Sequence, residues 1–221
     1  MKKIPYFLVM CFVCTLMSCS EDGDNNDGDT NNPMQPAART AIADAAFEQA
    51  LVELDIDDVV DGSVLTSDAE MVTSLVINDK GITSLLGISD FTMLENLWVN
   101  DNQISSVDLS QNTLLKFIFV ENNALTSINV SDLNILEKLA VTNNTLTQLD
   151  ISDNSALQVL QIADNTLGAI DLSAIPNGIQ LNTFAVENNP LTCIKVNEEI
   201  LNDIPSQWTK DANDTYALSC N

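Results

Sequence analysis

The run LENLWVNDNQISSVDLSQNTL (94–114) is followed by LKFIFVENNALTSINVSDLNI (115–135), LEKLAVTNNTLTQLDISDNSA (136–156), LQVLQIADNTLGAIDLSAIPNGIQ (157–180) and LNTFAVENNPLTCIKV (181–196). The segments align residue for residue from Leu94, Leu115, Leu136, Leu157 and Leu181. Three steps are 21 residues and the fourth is 24, as if three residues were inserted around Ala174–Asn177. The shared template is L-x-x-L-x-V-x-x-N-x-L-x-x-I-x-V-S. Its asparagine column is Asn102, Asn123, Asn144, Asn165 and Asn189. Its apolar columns include Leu97, Ile118, Leu139, Leu160 and Phe184, and, two residues on, Val99, Val120, Val141, Ile162 and Val186.

A fixed period in this range with this pattern is the mark of leucine-rich repeats. One repeat holds too few apolar residues to close a core. Stacked repeats bring each apolar column into register, so the core runs along the array. The L-x-V piece alternates as a strand does, with Leu97 and Val99 inward and Trp98 outward. Successive strands then pair in parallel, about 4.8 Å apart. After each strand the chain turns and leaves buried backbone donors and acceptors without ladder partners. An asparagine amide both donates and accepts, so the five asparagines are expected to be buried and structural.

A solenoid exposes its core at both ends and needs caps. Ile42, Ala46, Phe47, Ala50, Leu51 and Leu54 recur at helical spacing, which predicts an amphipathic helix over about 37–54, with Asp44, Glu48 and Glu53 off its apolar face. The D-G pair at 61–62 is a turn signal. Val72, Leu75 and Ile77 match Leu94, Leu97 and Val99 at a shift of 22, giving a sixth, irregular repeat with Lys80 in the asparagine position. At the far end Cys193 and Cys220 form an even pair, which reads as a disulfide in an exported protein, the alternative being two free thiols. The bond would pin 198–221 over the core, with Ile200, Ile204, Trp208, Tyr216 and Leu218 available to cover it. The expected architecture is an α/β solenoid of about six coils of 21–24 residues, with parallel strands on a concave face, a helical N-terminal cap over 37–70, repeats over 71–197 and a disulfide-closed C-terminal cap.

Ahead of this, Met1, Lys2 and Lys3 make a basic start, and Ile4–Met17 is largely apolar, the pattern of an export signal too short for a stable transmembrane helix. LMSC (16–19) resembles the bacterial lipobox. That resemblance implies cleavage before Cys19, a signal peptide over 1–18 and lipid on the Cys19 thiol, against the alternative of an ordinary signal peptide. The acidic, nearly apolar-free tract 19–36 is expected to be a disordered tether. SED (20–22) resembles the acidic surface-export signal of Bacteroidetes lipoproteins; the other reading is a plain linker.

Lys and Arg total 8 and Asp and Glu 32, a formal charge of −24. This argues against nucleic acid, whose phosphates need basic residues, and against electrostatic attachment to an anionic membrane. No histidine is present, which removes the commonest general base, the usual triads and most zinc sites. Asp108, Asn129, Asp150 and Asp171 share one turn column, with Asp101 and Asp164 in another. Oxygen ligands so spaced could hold calcium, but a solvated acidic face is the simpler reading, and no metal or cofactor is expected. Glu121 and Glu187 share a strand-face column three coil spacings apart, about 14 Å, too wide for a glycosidase pair, so no enzyme is expected.

Outward strand positions fall in three columns. The middle one is Val76, Trp98, Phe119, Ala140, Gln161 and Ala185; one flank carries Asn96, Phe117 and Lys138; the other carries Asn78, Asn100, Glu121, Thr142 and Glu187. Trp98, Phe117 and Phe119 would form an aromatic cluster on a wet surface, which suggests a contact site, with Asn100, Glu121 and Lys138 beside it. The other reading is that neighbouring side chains or the capping helix shelter the rings.

FEQAL (47–51), DGSVLT (61–66), GITSLLGISDF (81–91), the repeats with LDIS (149–152), and NPLTCIKV (189–196) with Trp208 and Cys220 resemble the leucine-rich repeat lipoproteins of Bacteroidetes, relatives in pattern of the internalin-like bacterial repeats. The resemblance covers roughly 40–221 and implies a surface-exposed binding or adhesion module. It brings no catalytic residues. The expected function is non-catalytic capture of a protein or glycan, by a module held at the outer membrane and cell surface through Cys19. The alternative is a structural or scaffolding envelope lipoprotein in a larger complex.

Overall fold

A computed structural model describes residues 36–176 and 181–220. Readings that concern 1–35, including the signal, the lipobox and Cys19, lie outside the described residues, as does part of the expected insertion near Ala174–Asn177. In chain order the elements are β1 (Arg39–Ala41), α1 (Ala45–Glu53), β2 (Ser63–Leu65), α2 (Thr66–Glu70), β3 (Ser74–Val76), β4 (Asn96–Trp98), β5 (Ser106–Asp108), β6 (Phe117–Phe119), β7 (Ser127–Asn129), β8 (Lys138–Ala140), β9 (Val159–Gln161), β10 (Ala169–Asp171), β11 (Thr183–Ala185), β12 (Cys193–Lys195), α3 (Glu198–Asn202) and β13 (Tyr216–Ala217).

The main sheet is parallel, in the order β11-β9-β8-β6-β4-β3. Its register joins Leu75, Leu97, Ile118, Leu139, Leu160 and Phe184 in one inward column and Val76, Trp98, Phe119, Ala140, Gln161 and Ala185 in one outward column. All six inward residues are fully buried. A parallel bridge from Ala185 to Thr209 adds one more coil, so the β-solenoid has about seven turns where the repeats alone predicted six. The template also hides a second strand per coil. Ser106–Asp108 pairs with Ser127–Asn129, and Ala169–Asp171 with Cys193–Lys195 and Tyr216–Ala217, both in parallel. The coil between these two groups, at Gln148–Asp150, makes no strand.

The front segment is mixed rather than helical. Arg39–Ala41 runs antiparallel to Ser63–Leu65, and the helix starts only at Ala45, because the Asp44 Oδ1 accepts from the Ala46 and Phe47 N–H groups at 2.9 and 3.0 Å and fixes its first turn. Phe47, Ala50 and Leu51 enter the core, and Phe47 packs on Phe91. Glu48, expected off the apolar face, is instead 1% exposed. Its Oε1 accepts from the N–H groups of Asp61, Gly62 and Ser63 at 2.9, 2.6 and 2.8 Å, so a buried carboxylate holds the D-G turn.

At the far end a Cys193–Cys220 disulfide closes a 27-residue separation. Trp208 packs edge-on to Phe184, and its indole N–H donates to the Leu181 carbonyl at 2.6 Å. Ile200, Ile204 and Tyr216 pack against the core, whereas Leu218, just past the end of β13, is 51% exposed and does not cover the end.

Candidate ligand-binding face

The turn after each main strand sets how much of this surface is free for a ligand. The Oδ1 of Asn144 accepts from the Leu125 N–H, and its Nδ2 donates to the carbonyls of Val120 and Val141. Asn102, Asn165 and Asn189 repeat this pattern with their own coils and are buried. Asn123 bonds likewise to Ile104, Val99 and Glu121 but is half-buried. These amides serve the backbone.

The residue before each ladder position, the five asparagines and Lys80, has a separate role. Asp79, Asp101, Asn122, Asn143, Asp164 and Asn188 are all left-handed, with φ between 52 and 59°. Asp and Asn tolerate that region best among residues other than glycine. Their side chains form an outer row: Asn122 Nδ2 to Asp101, Asn143 Nδ2 to Asn122, and Asn188 Nδ2 to Asp164, each 2.8 Å. The D/N-N doublet in every regular repeat was the signal for it.

The other acidic column is also occupied. Asp108, Asp150 and Asp171 each accept from the backbone N–H two residues on, at Ser110, Ser152 and Ser173. Those bonds hold the Asp108 and Asp150 carboxyls below their ordinary range. Burial pushes Asp171 up, but Lys195, at 2.8 Å, and Ser173 outweigh it. Among the described residues no three His, Cys, Asp or Glu side chains converge to hold a metal.

A further asparagine column escaped the sequence reading. Phe91, Asn112, Leu133, Asn154, Ile175 and Asn197 alternate apolar residues with asparagine along the core edge. Asn112 donates to Ile88 and Phe91 carbonyls, Asn154 to Val130 and Leu133, and Asn197 to Ile175. The Asn112 and Asn154 Oδ1 atoms are buried without a partner. The alternation doubles the repeat period, which hides it from a one-repeat template.

On the outer face of the main sheet Trp98 and Phe119 lie on adjacent strands with parallel rings, 5.3 Å between centroids and 8° between planes. That separation is close to the strand spacing of about 4.8 Å, so the rings stack along the solenoid axis and turn their edges outward. Lys138, on the next strand, places its Nζ 4.6 Å from the Phe119 centroid. Phe119 thus has Trp98 on one face and a cation on the other. The open ring face belongs to Trp98, toward Val76, which is 50% exposed. Phe117 sits in the flanking column beside Asn96 and Lys138, not within the ring stack. Among the described residues no helix covers these rings, and all three, with Lys138, are half-buried.

Asn100 is partly committed to structure. Its N–H donates to Asn78 Oδ1 and its own Oδ1 accepts from the Glu121 N–H, both at 2.8 Å, while its Nδ2 reaches Glu121 Oε2 at 3.4 Å. Salt bridges engage Arg39, Lys80, Lys116 and Lys195. Lys138 is in no salt bridge among the described residues. Two hollows, of about 380 and 610 Å³, open on the other side of the solenoid, the larger at the unpaired Gln148–Asp150 coil. The larger is lined by the second-ladder positions 127–128 and 148–152 with Asp171, Ser173 and Ala174, and the smaller by 84–89 together with Ser106–Asp108 and Gln111.

No family model matches the chain, and no curated protein matches it. Solved structures do. The functional domain of InlJ from Listeria monocytogenes, which includes a cysteine ladder, is 25% identical with a TM-score of 0.64, over 84% of this chain and 45% of that one. This chain therefore spans less than half the length of that relative. It has no cysteine column, since its one repeat cysteine, Cys193, is bonded to Cys220. Internalin C2 and the internalin InlF, both from Listeria monocytogenes, align at 19% and 17% identity over 80% of this chain, with TM-scores of 0.35 and 0.36. The solenoid is similar to the leucine-rich repeat fold of internalin-like proteins.

Proposed function

We propose that this chain is a non-catalytic binding module that takes a protein ligand on the outer face of its main sheet, centred on Trp98, Phe119 and Lys138. The observation that carries this reading is the uncovered Lys138–Phe119–Trp98 stack. Large aromatic residues left half-buried on a wet sheet by their own neighbours are the usual anchors of a protein contact. The three outward columns are also low in charge for so acidic a chain: Lys138, Glu121 and Glu187 are their charged members. Depletion of charge at the centre is typical of protein interfaces.

The ring geometry favours protein over glycan. Sugars stack on aromatic faces, and here both faces of Phe119 and one face of Trp98 are taken. Ring edges over a broad shallow sheet suit packing by protein side chains. By the lipobox resemblance the module hangs from a lipid at Cys19, and by the resemblance of SED (20–22) to a surface-export signal it faces outside the cell, with 37–70 and 198–221 closing the two ends of its core.

The test is a screen of protein and glycan ligands with the parent chain and with Trp98→Ala/Phe119→Ala, alongside protease treatment of intact cells. Capture of a protein by the parent, lost in the double variant while its melting stays cooperative, supports the reading. Capture that survives both substitutions removes this face as the site, and steady turnover of any glycan removes the non-catalytic assignment. Protection of the domain from external protease would place it on the inner side of the envelope.

A further inference from the structure

The front edge of the main sheet is open. In β3 and its continuation, the odd-numbered residues bond to the next coil: the Thr73 carbonyl accepts from Glu95 and Asn96, and the Ile77 and Asp79 N–H groups donate to Trp98 and Asn100. Their neighbours Ser74, Val76 and Asn78 therefore turn their N–H and C=O groups forward, away from β4. Outside the β3–β4 ladder no backbone bond joins any of the three to another described segment, and β3 ends the strand order. Ser74 and Val76 are exposed. The other end is closed, since Thr209 bridges Ala185, donates to the Phe184 carbonyl and accepts from the Val186 N–H.

Charge selects what can add to this edge. From residue 40 to residue 79 there are ten acidic residues and no basic one. Glu48 and Asp44 are spent on the backbone. Exposed Glu70 lies just before β3 and exposed Asp79 just after it, and the Lys80–Glu53 contact, 2.7 Å, brings the acidic end of α1, with Asp55 beyond it, to the same strand end. A second copy would bring the same charges against themselves, and the three-residue strand gives it little to hold. A basic chain meets attraction at both ends and unpaired main-chain groups between them.

We propose that the edge Ser74–Asn78 takes an extended, lysine- or arginine-rich segment of a partner protein as an added strand. Main-chain bonds to Ser74, Val76 and Asn78 hold the segment, and alternate side chains of it lie beside Val76, continuing the Phe119–Trp98–Val76 column. The site needs no contribution from the ring stack and stands or falls apart from it.

The test uses the full chain and two short capped peptides, one alternating valine with lysine and the other valine with glutamate. Binding is read by titration, and the place of binding by amide exchange at Ser74, Val76 and Asn78. Val76→Pro removes a forward N–H that β4 does not use, and proline is tolerated on an edge of this kind. Asp79→Asn with Glu70→Gln removes charge, and asparagine already occupies the Asp79 column at Asn122 and Asn143. The lysine peptide should bind at least about tenfold tighter than the glutamate peptide, weaken with salt and protect the edge amides. Val76→Pro should weaken it by about tenfold or more, and the charge variant should keep both the parent's melting and its capture by the ring stack. Equal binding of the two peptides, or no effect of Val76→Pro, overturns the proposal. So does a dimer of the parent chain that Val76→Pro dissolves, which would make a second copy the occupant.

Discussion

Single side chains hold this solenoid where its backbone cannot hold itself. The case is sharpest at Asn144, whose amide engages Leu125, Val120 and Val141 in a buried turn. Asn144→Leu should cost about 2–4 kcal/mol, because leucine leaves several buried backbone groups unpaired; urea unfolding measures it. Asn154→Leu should cost less, about 1–2 kcal/mol, since its Oδ1 already lacks a partner and leucine fills the same column at Leu133. It still matters there: the turn at Val130 lacks the bond that Asn112 makes to Leu109 and Ile175 makes to Leu172, and Asn154 supplies a donor instead. Asp44 gives a pH prediction. Burial pushes its carboxyl up, but bonds from Thr83, Phe47 and Ser84 outweigh it and leave the group below its ordinary range. A depressed folded value means the contribution is present above the unfolded value and lost as pH falls through the folded one. Thermal melts should therefore hold steady from neutral pH down to the ordinary carboxylate range, then fall below it, and Asp44→Asn should flatten that fall. Asp57 has the opposite sign. Burial raises its carboxyl, and Glu48 and Asp58 add repulsion, so its ionised form weakens the fold at neutral pH. Asp57→Asn should raise the melting temperature at neutral pH, with the gain vanishing in acid.

At the scale of elements, the two ends behave differently from the repeats. Removing the Cys193–Cys220 bond with serine at both positions should cost about 3–4 kcal/mol by the chain-entropy account of a loop this size; chemical unfolding with and without reductant measures it. Glu48→Gln should loosen the D-G turn and the β1–β2 pair ahead of global unfolding, seen as early amide exchange at Asp61–Ser63. The strand register of Leu97, Ile118, Leu139, Leu160 and Phe184 could be read from sequence, because burying one face of a strand fixes its period. The start of α1 could not. Ile42 fits the helical spacing of Phe47 and Ala50, yet its segment is drawn into a strand by a partner more than twenty residues away at Ser63–Leu65. Glu48 was misplaced for a similar reason: a carboxylate at a helical position reads as solvent-facing unless the turn it will bind is already known. The second strand ladder is not legible as strand although its columns alternate, as in Val107 with Leu109 and Ile128 with Val130, because three residues beside a turn are too short a run for alternation to separate a strand from a loop.

For the whole molecule, the acidic charge is concentrated on the turns and the front segment, leaving the outer face of the main sheet nearly neutral and aromatic. Trp98, Phe119 and Lys138 could be placed on that face from the repeat shift alone. That the rings would stack along the axis, with Phe117 outside the stack, depends on rotamers that periodicity does not encode. On the proposed reading this face offers ring edges to protein side chains, while the opposite side carries a hollow of mixed polar and apolar lining near Ser127 and Asp150. The measurement that bears most directly on this account is site-directed photocrosslinking in producing cells. A benzophenone side chain in place of Phe117 would report on the proposed face, and one in place of Ser127 on the opposite side. The account predicts a discrete protein crosslink from position 117 that disappears when Trp98 and Phe119 are alanine, and none from position 127. A crosslink from position 127 with none from position 117 would contradict it.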